Sequence, residues 1–278
     1  MTGLEKTLRL LFALLALFDF VLGTLCIFFG ERVFAAAGLA PYASPQFFMI
    51  CTGLFLYQYV YIQTMAAVNP RRYATCLNMT VVIRLSFPVL YITQIFLWGM
   101  PGNLLQVLFL ASAAGDLAVS AFVLFALRRL GIPFFRGDEY SREDRGPRFL
   151  RFILIVLAVS EFLISWNWLV FGEFWLKLFH LSYTVDPFWT RATGLFLLNI
   201  AYIQYLGYYH VYRFRTATVT SRLFRALWPL LYWYWAAWGE GSTLFKGFIL
   251  FFSFFDTAMF ITQYYLLKKA ENPTGRTA

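Results

Sequence analysis

Charge is what this sequence has least of for its length: 14 acidic and 23 basic residues among 278, or 13%, about half the share of an ordinary soluble domain. So thin a polar coat argues against a soluble fold. Histidine is scarcer still. His180 and His210 both fall at or beyond the ends of apolar runs, which excludes haem held by paired intramembrane histidines. Cys26, Cys51 and Cys76 form no CxxC pair, and an odd count cannot complete a disulfide framework, so they read as packing residues. HExxH, GxSxG, the Walker loop and the dinucleotide glycine fingerprint are all missing. No cofactor and no metal set is therefore expected.

What fills the chain instead is hydrocarbon. Hydrophobic residues make up 60%, and apolar runs reach the ~20 residues that a helix needs to cross a bilayer. The short alternating segments of a transmembrane barrel are missing. The pattern predicts an all-α integral membrane protein with eight transmembrane helices, at 8–29, 46–68, 77–98, 103–127, 150–171, 187–210, 222–238 and 245–267. Arginines crowd the start of the seventh. The first run is too long for a removable signal peptide and should stay as an anchor.

Alternating the connections places Lys6, Arg9, Arg71, Arg72, the arginines between 128 and 151, Arg213, Arg215, Arg222, Lys268, Lys269 and Arg276 on one side. Only Arg32, Lys177, Arg191 and Lys246 fall on the other. Basic excess marks the cytoplasmic side, so both termini should be cytoplasmic, in a bacterial inner membrane. The net charge of +9 thus records orientation, and no nucleic-acid partner is implied. Trp98, Trp168, Trp175, Trp235 and Trp238 gather near the opposite boundary, as an interfacial aromatic belt would. The apolar outer connections at 33–39 and 174–183 should lie in the interface, with His180 an interfacial side chain.

Residues 131–149 are the most polar stretch, a basic cytoplasmic linker whose arginines are candidates for anionic headgroups of membrane lipids. It separates two copies of one pattern, 1–130 and 150–270, and residues 271–278 form a flexible tail. Asp19, Phe20, Gly30, Glu31 and Pro45 return 142 residues later as Glu161, Phe162, Gly172, Glu173 and Pro187. At 141, Thr52-Gly53-Leu54-Phe55-Leu56 returns as Thr193-Gly194-Leu195-Phe196-Leu197, and Arg84, Pro88 and Tyr91 return as Arg225, Pro229 and Tyr232. At 140, Trp98-Gly99 returns as Trp238-Gly239 and Asp116 as Asp256. Each copy holds an even number of spans, so both insert in one direction, as two parallel four-helix repeats.

The closing span of a unit runs from Gly115-Asp116-Leu117 to Leu127-Arg128-Arg129, and its second span opens on a glycine-bearing stretch. On these features each half resembles the small four-span bacterial membrane proteins of the DoxX-like and related uncharacterised families. The resemblance implies a four-helix membrane bundle per half and no settled chemistry.

The polar residues inside the spans recur as well. Each unit carries an acid on its first span (Asp19, Glu161), amides on its second (Gln58 and Gln63; Asn199 and Gln204), an arginine on its third (Arg84, Arg225) and an aspartate on its fourth (Asp116, Asp256). Each arginine precedes by four residues a proline that frees the arginine's own carbonyl from helical bonding. Ala13, Ala16, Asp19, Gly23, Cys26 and Gly30 recur at three and four residues, as do Ala158, Glu161, Ser165, Trp168 and Gly172, and Gln106, Ala113, Asp116 and Ser120. Such small-residue stripes let helices approach closely, so the carboxylates should face the bundle. A charge facing lipid would cost about 2.5–3.5 kcal/mol.

Arg84 is expected to pair with Asp116 or Asp19, and Arg225 with Asp256 or Glu161. Two carboxylates against one guanidinium leave a formal −1 per unit, so one acid should hold a proton, or a cation or water-filled cavity should compensate it. Arg191, at the outer end, has no counterpart in the first copy and joins the candidate ligand-binding residues. A polar network that only locks helices together would use the same groups. The functional readings are a binding or accessory membrane protein, a small proton- or cation-coupled transporter, or an acid–base enzyme on a lipid-like substrate.

Overall fold

The computed structural model describes residues 3–97, 104–139, 144–183 and 186–271. They form helices α1 (Gly3–Ala36), α2 (Gln46–Val68), α3 (Ala74–Phe96), α4 (Leu104–Arg129), α5 (Arg148–Leu178), α6 (Phe188–Tyr209), α7 (Arg215–Trp238) and α8 (Thr243–Glu271). Five of them, α1, α3, α4, α5 and α8, are long and apolar enough to cross a membrane. Trp98, Gly99, residues 140–143 of the linker and the tail from 272 lie outside the described residues.

Several helices outrun the apolar segments that announce them. α7 begins seven residues before position 222, because Arg215 and the residues that follow it continue the helix beyond its apolar part. Residues 33–36 and 174–178, expected in outer connections, extend α1 and α5 instead. Both helices change course first. α1 passes through a π-helical turn at Leu25–Phe29, and α5 has a non-helical residue, Phe171, at φ −109° and ψ 22°. Phe29 and Phe171 stand 142 residues apart and each precedes a buried glycine, Gly30 and Gly172. A Cβ on Gly30 would overlap Met49 at the start of α2, and one on Gly172 would lie 3.2 Å from Thr190 on α6.

Which helices are apolar follows from what they face. α1, α4, α5 and α8 turn rows of large side chains outward, among them Leu14, Leu17 and Phe18, Val107 and Leu110, Phe152 and Val159, and Phe251 and Phe254. α2 and α6 are buried along most of their length and look onto protein, so they carry tyrosine, threonine, asparagine and glutamine without meeting hydrocarbon.

Packing is pairwise and then central. α1 lies along α2, α5 along α6, α3 along α4 and α7 along α8, while α2 and α3 both meet α6 and α7. The first contact is backbone on backbone: a Cβ on Gly53 would lie 2.8 Å from the Gly23 carbonyl oxygen, and one on Gly194 3.0 Å from that of Ser165. At the centre Phe55 and Phe196 stack with ring centroids 4.8 Å apart, flanked by Phe87 and Trp228. The small stripe of α1 is as expected from Ala16 to Gly30, but Ala13 is exposed and Phe12 takes its place.

The linker is not a free tether. The half-buried Asp138 sits between the first turns of α3 and α7, its Oδ1 accepting the Thr75 N–H at 3.3 Å and its Oδ2 the Thr216 N–H at 2.8 Å. The backbone beside it repeats the arrangement, with the Asp138 N–H donating to the Arg213 carbonyl and the Glu139 N–H to that of Arg72. Gly137, at φ +79°, makes this possible, since a Cβ there would lie 2.6 Å from the Arg213 carbonyl oxygen. Burial pushes the Asp138 carboxyl above the ordinary carboxylate range, against the opposing pull of its N–H and threonine partners.

Candidate functional site

α3 and α7 each carry an arginine one turn before an internal proline, Pro88 or Pro229. Arg84 donates from Nη1 to Asp116 Oδ1 on α4 at 2.8 Å and from Nη2 to Asp19 Oδ2 on α1 at 2.9 Å. Arg225 does the same with Asp256 on α8 through Nη1 and with Glu161 Oε1 on α5 through Nη2, the latter at 2.7 Å. The expected choice between two acids does not arise, because a guanidinium presents two N–H edges and each arginine takes both carboxylates. No acid is left over as a separate group, though the formal −1 remains in each cluster.

The two clusters differ in what surrounds them. In the first, Gln63 Nε2 donates to Asp19 Oδ2 at 2.6 Å, so that oxygen accepts two bonds. In the second, the corresponding Gln204 reaches neither acid, and its amide atoms have no partner among the described residues. One oxygen of each acid takes no hydrogen bond from the described residues in either cluster: Asp19 Oδ1 and Asp116 Oδ2 in the first, Glu161 Oε2 and Asp256 Oδ2 in the second. Arg225 is sealed at 2% exposure, with its guanidinium over the rings of Phe224 and Phe255 at 5.5 and 5.7 Å.

Beside Glu161 and Asp256 lies a cavity of ≈ 60 Å³. Its wall is aromatic, including Phe48, Trp168, Trp228, Tyr232 and Phe252, and it extends to Phe47 and Phe245 in the first turns of α2 and α8. Cys51 and Thr193 are its other polar neighbours. The recess at the first cluster, between Gln63, Thr80 and Arg84, has a volume of ≈ 0 Å³.

The remaining candidates fall elsewhere. Gln58 is buried, bonds to neither cluster, and has no partner for its amide among the described residues. Five residues separate it from Gln63, a turn of about 140° around the helix, so the two cannot share a face. Asn199 bonds Ser86 on α3 at 3.1 Å, on the wall of an apolar groove of ≈ 410 Å³ between α3, α5 and α6. Arg191 is not part of either cluster. It bridges to Asp186 at 3.2 Å and donates to Gln94 Oε1 at 3.0 Å. Burial raises the Asp186 carboxyl, and Arg191 opposes that rise.

Of the belt tryptophans, Trp238 is exposed, but Trp168 is buried on the cavity and Trp235 is buried with its N–H on the Glu240 carbonyl. Sequence reasoning missed Asp138, Asp186, Ser86 and the aromatic wall. Of the run Tyr232-Trp233-Tyr234-Trp235 on α7, Tyr232 lines that wall, whereas Trp233 and Tyr234 are exposed. The described residues hold no group of three His, Cys, Asp or Glu side chains that could bind a metal, and all three cysteines are free. No family model, no curated protein and no solved structure matches the chain.

Proposed function

We propose that the chain is an eight-span membrane protein made of two parallel four-helix repeats of DoxX-like character, with both termini cytoplasmic in a bacterial inner membrane. In this reading it is a binding protein: the second cluster takes up a small cation, a proton included, while the first locks its helices together. Membrane lipids are its surroundings, with anionic headgroups at the exposed Arg128, Arg129 and linker arginines.

The observation that carries the reading is the asymmetry between the clusters. Gln63 adds a third hydrogen bond to the first, and the recess that it lines with Arg84 has a volume of ≈ 0 Å³. Both clusters carry a formal −1, and a buried negative remainder attracts a compensating charge, but in the second the amide of Gln204 adds no bond and the two carboxylates line a cavity of ≈ 60 Å³. Transport would need a second opening below Arg225. There a Cβ on Gly207 would lie 2.9 Å from Thr218 Oγ1, and Ser221 and Gln204 are fully buried, which favours binding over passage. An acid–base enzyme would need carboxylates within reach of lipid, and Glu161 and Asp256 are only 6% and 2% exposed.

Charge displacement on a solid-supported membrane tests this. A proton or cation jump applied to proteoliposomes should give one brief transient, abolished in Asp256→Asn and kept in Asp116→Asn. A sustained current would support the transporter instead. No transient in any folded form would remove the binding site.

A further inference from the structure

Resting on the cation-site reading, we propose that the cavity beside Glu161 and Asp256 holds a small protonated amine, its N–H groups on the two carboxylates and its carbon body against the rings. Two features of the wall select this class. The first is charge: Glu161 and Asp256 against Arg225 leave a formal −1, and one oxygen of each acid takes no hydrogen bond from the described residues. The second is the chemistry of the wall. Trp168, Trp228, Phe48 and Phe252 line the cavity, and aromatic rings attract a cation through their quadrupoles and shed water readily, which favours an ammonium carrying carbon over a bare ion.

A hard metal ion asks for about six oxygens. The wall offers the two spare carboxylate oxygens and the hydroxyls of Thr193 and Tyr232, and the Thr193 hydroxyl already donates to the Phe48 carbonyl. A proton alone needs neither the space nor the rings.

Size narrows the class further. At ≈ 60 Å³ the space exceeds the ~10–15 Å³ that one water needs, which leaves room for the carbon of methyl- or dimethylammonium, whereas a quaternary ion lacks the N–H groups that the two carboxylates would accept. The cavity draws Phe47, Phe48 and Cys51 from α2 and the remaining wall from α5–α8, so the amine would tie the two halves of the chain together.

The test is titration of the full-length protein in nanodiscs with dimethylammonium chloride, read by thermal midpoint and tryptophan fluorescence, with sodium, potassium and tetramethylammonium chlorides as controls. Dimethylammonium should stabilise the protein and the other three should not. Binding should vanish in Asp256→Asn and persist in Asp116→Asn. Should Asp256→Asn not fold, Phe252→Leu carries the test, since it keeps the wall apolar but removes a ring and should weaken binding about tenfold. An equal response to sodium or potassium, or undiminished binding in Phe252→Leu, overturns the amine. If the charge transient persists while dimethylammonium does nothing, the amine falls and the cation site stands. If both fail, both fall.

Discussion

At the scale of single residues, the molecule shows how one pattern of charges supports two different outcomes. Arg84 and Arg225 each hold two carboxylates, yet only Asp19 also receives an amide, from Gln63. Removing a donor from a buried charged acceptor costs about 1.5–3 kcal/mol. Gln63→Leu should therefore lower stability by about that much, by thermal unfolding in detergent. Gln204→Leu removes an amide with no partner among the described residues and should be neutral within about 0.5 kcal/mol or stabilising. Equal losses in both variants would contradict the difference between a cluster that an amide joins and one that it does not. The charged partners were legible in the sequence because hydrocarbon forces every intramembrane charge to find one. Which amide would join them was not, since Gln58 and Gln63 differ only by rotation about one helix axis.

At the scale of elements, the linker and the helices it touches carry the account. Asp138 stands at the N-terminal ends of both α3 and α7, the helices that hold Arg84 and Arg225. Its carboxyl is raised by burial, so the folded chain binds this proton more tightly than the unfolded one. The contribution to stability is full below the ordinary carboxylate pKa of about 3.9 and is lost as pH rises through the raised value. Asp138→Asn should flatten that slope in thermal unfolding measured across the acidic range. It also replaces one of two capping oxygens, at a cost of about 0.5–2 kcal/mol. An unchanged slope would show that Asp138 does not couple the linker to these helices. In the sequence Asp138 is one acid among several in a charged stretch, and nothing local marks it, because its role depends on two helix starts brought together from 141 residues apart. The early start of α7 was hidden for a related reason: hydropathy reports where a helix meets lipid, not where its hydrogen bonding begins.

At the scale of the whole molecule, outward hydrophobic rows on α1, α4, α5 and α8 and polar interiors on α2 and α6 explain why composition alone reads as membrane. The helical character and the apolar segments were legible because a bilayer imposes a length and a hydropathy that no local exception can hide. The cavity was not. Phe48 comes from α2, Trp168 from α5, Trp228 from α7 and Phe252 from α8, and no periodicity along one helix states how four helices are rotated toward each other. On the proposal above, the cluster of Arg225, Glu161 and Asp256 exchanges its cation while that of Arg84, Asp19 and Asp116 does not. Infrared spectroscopy of the carboxyl bands, followed through a pH titration of the wild type and of Glu161→Gln, Asp256→Asn, Asp19→Asn and Asp116→Asn, measures this directly. The account predicts a reversible titration that disappears in the first two variants and survives in the last two. A titration that follows Asp19 and Asp116 instead, or one that is the same in all four, would contradict it.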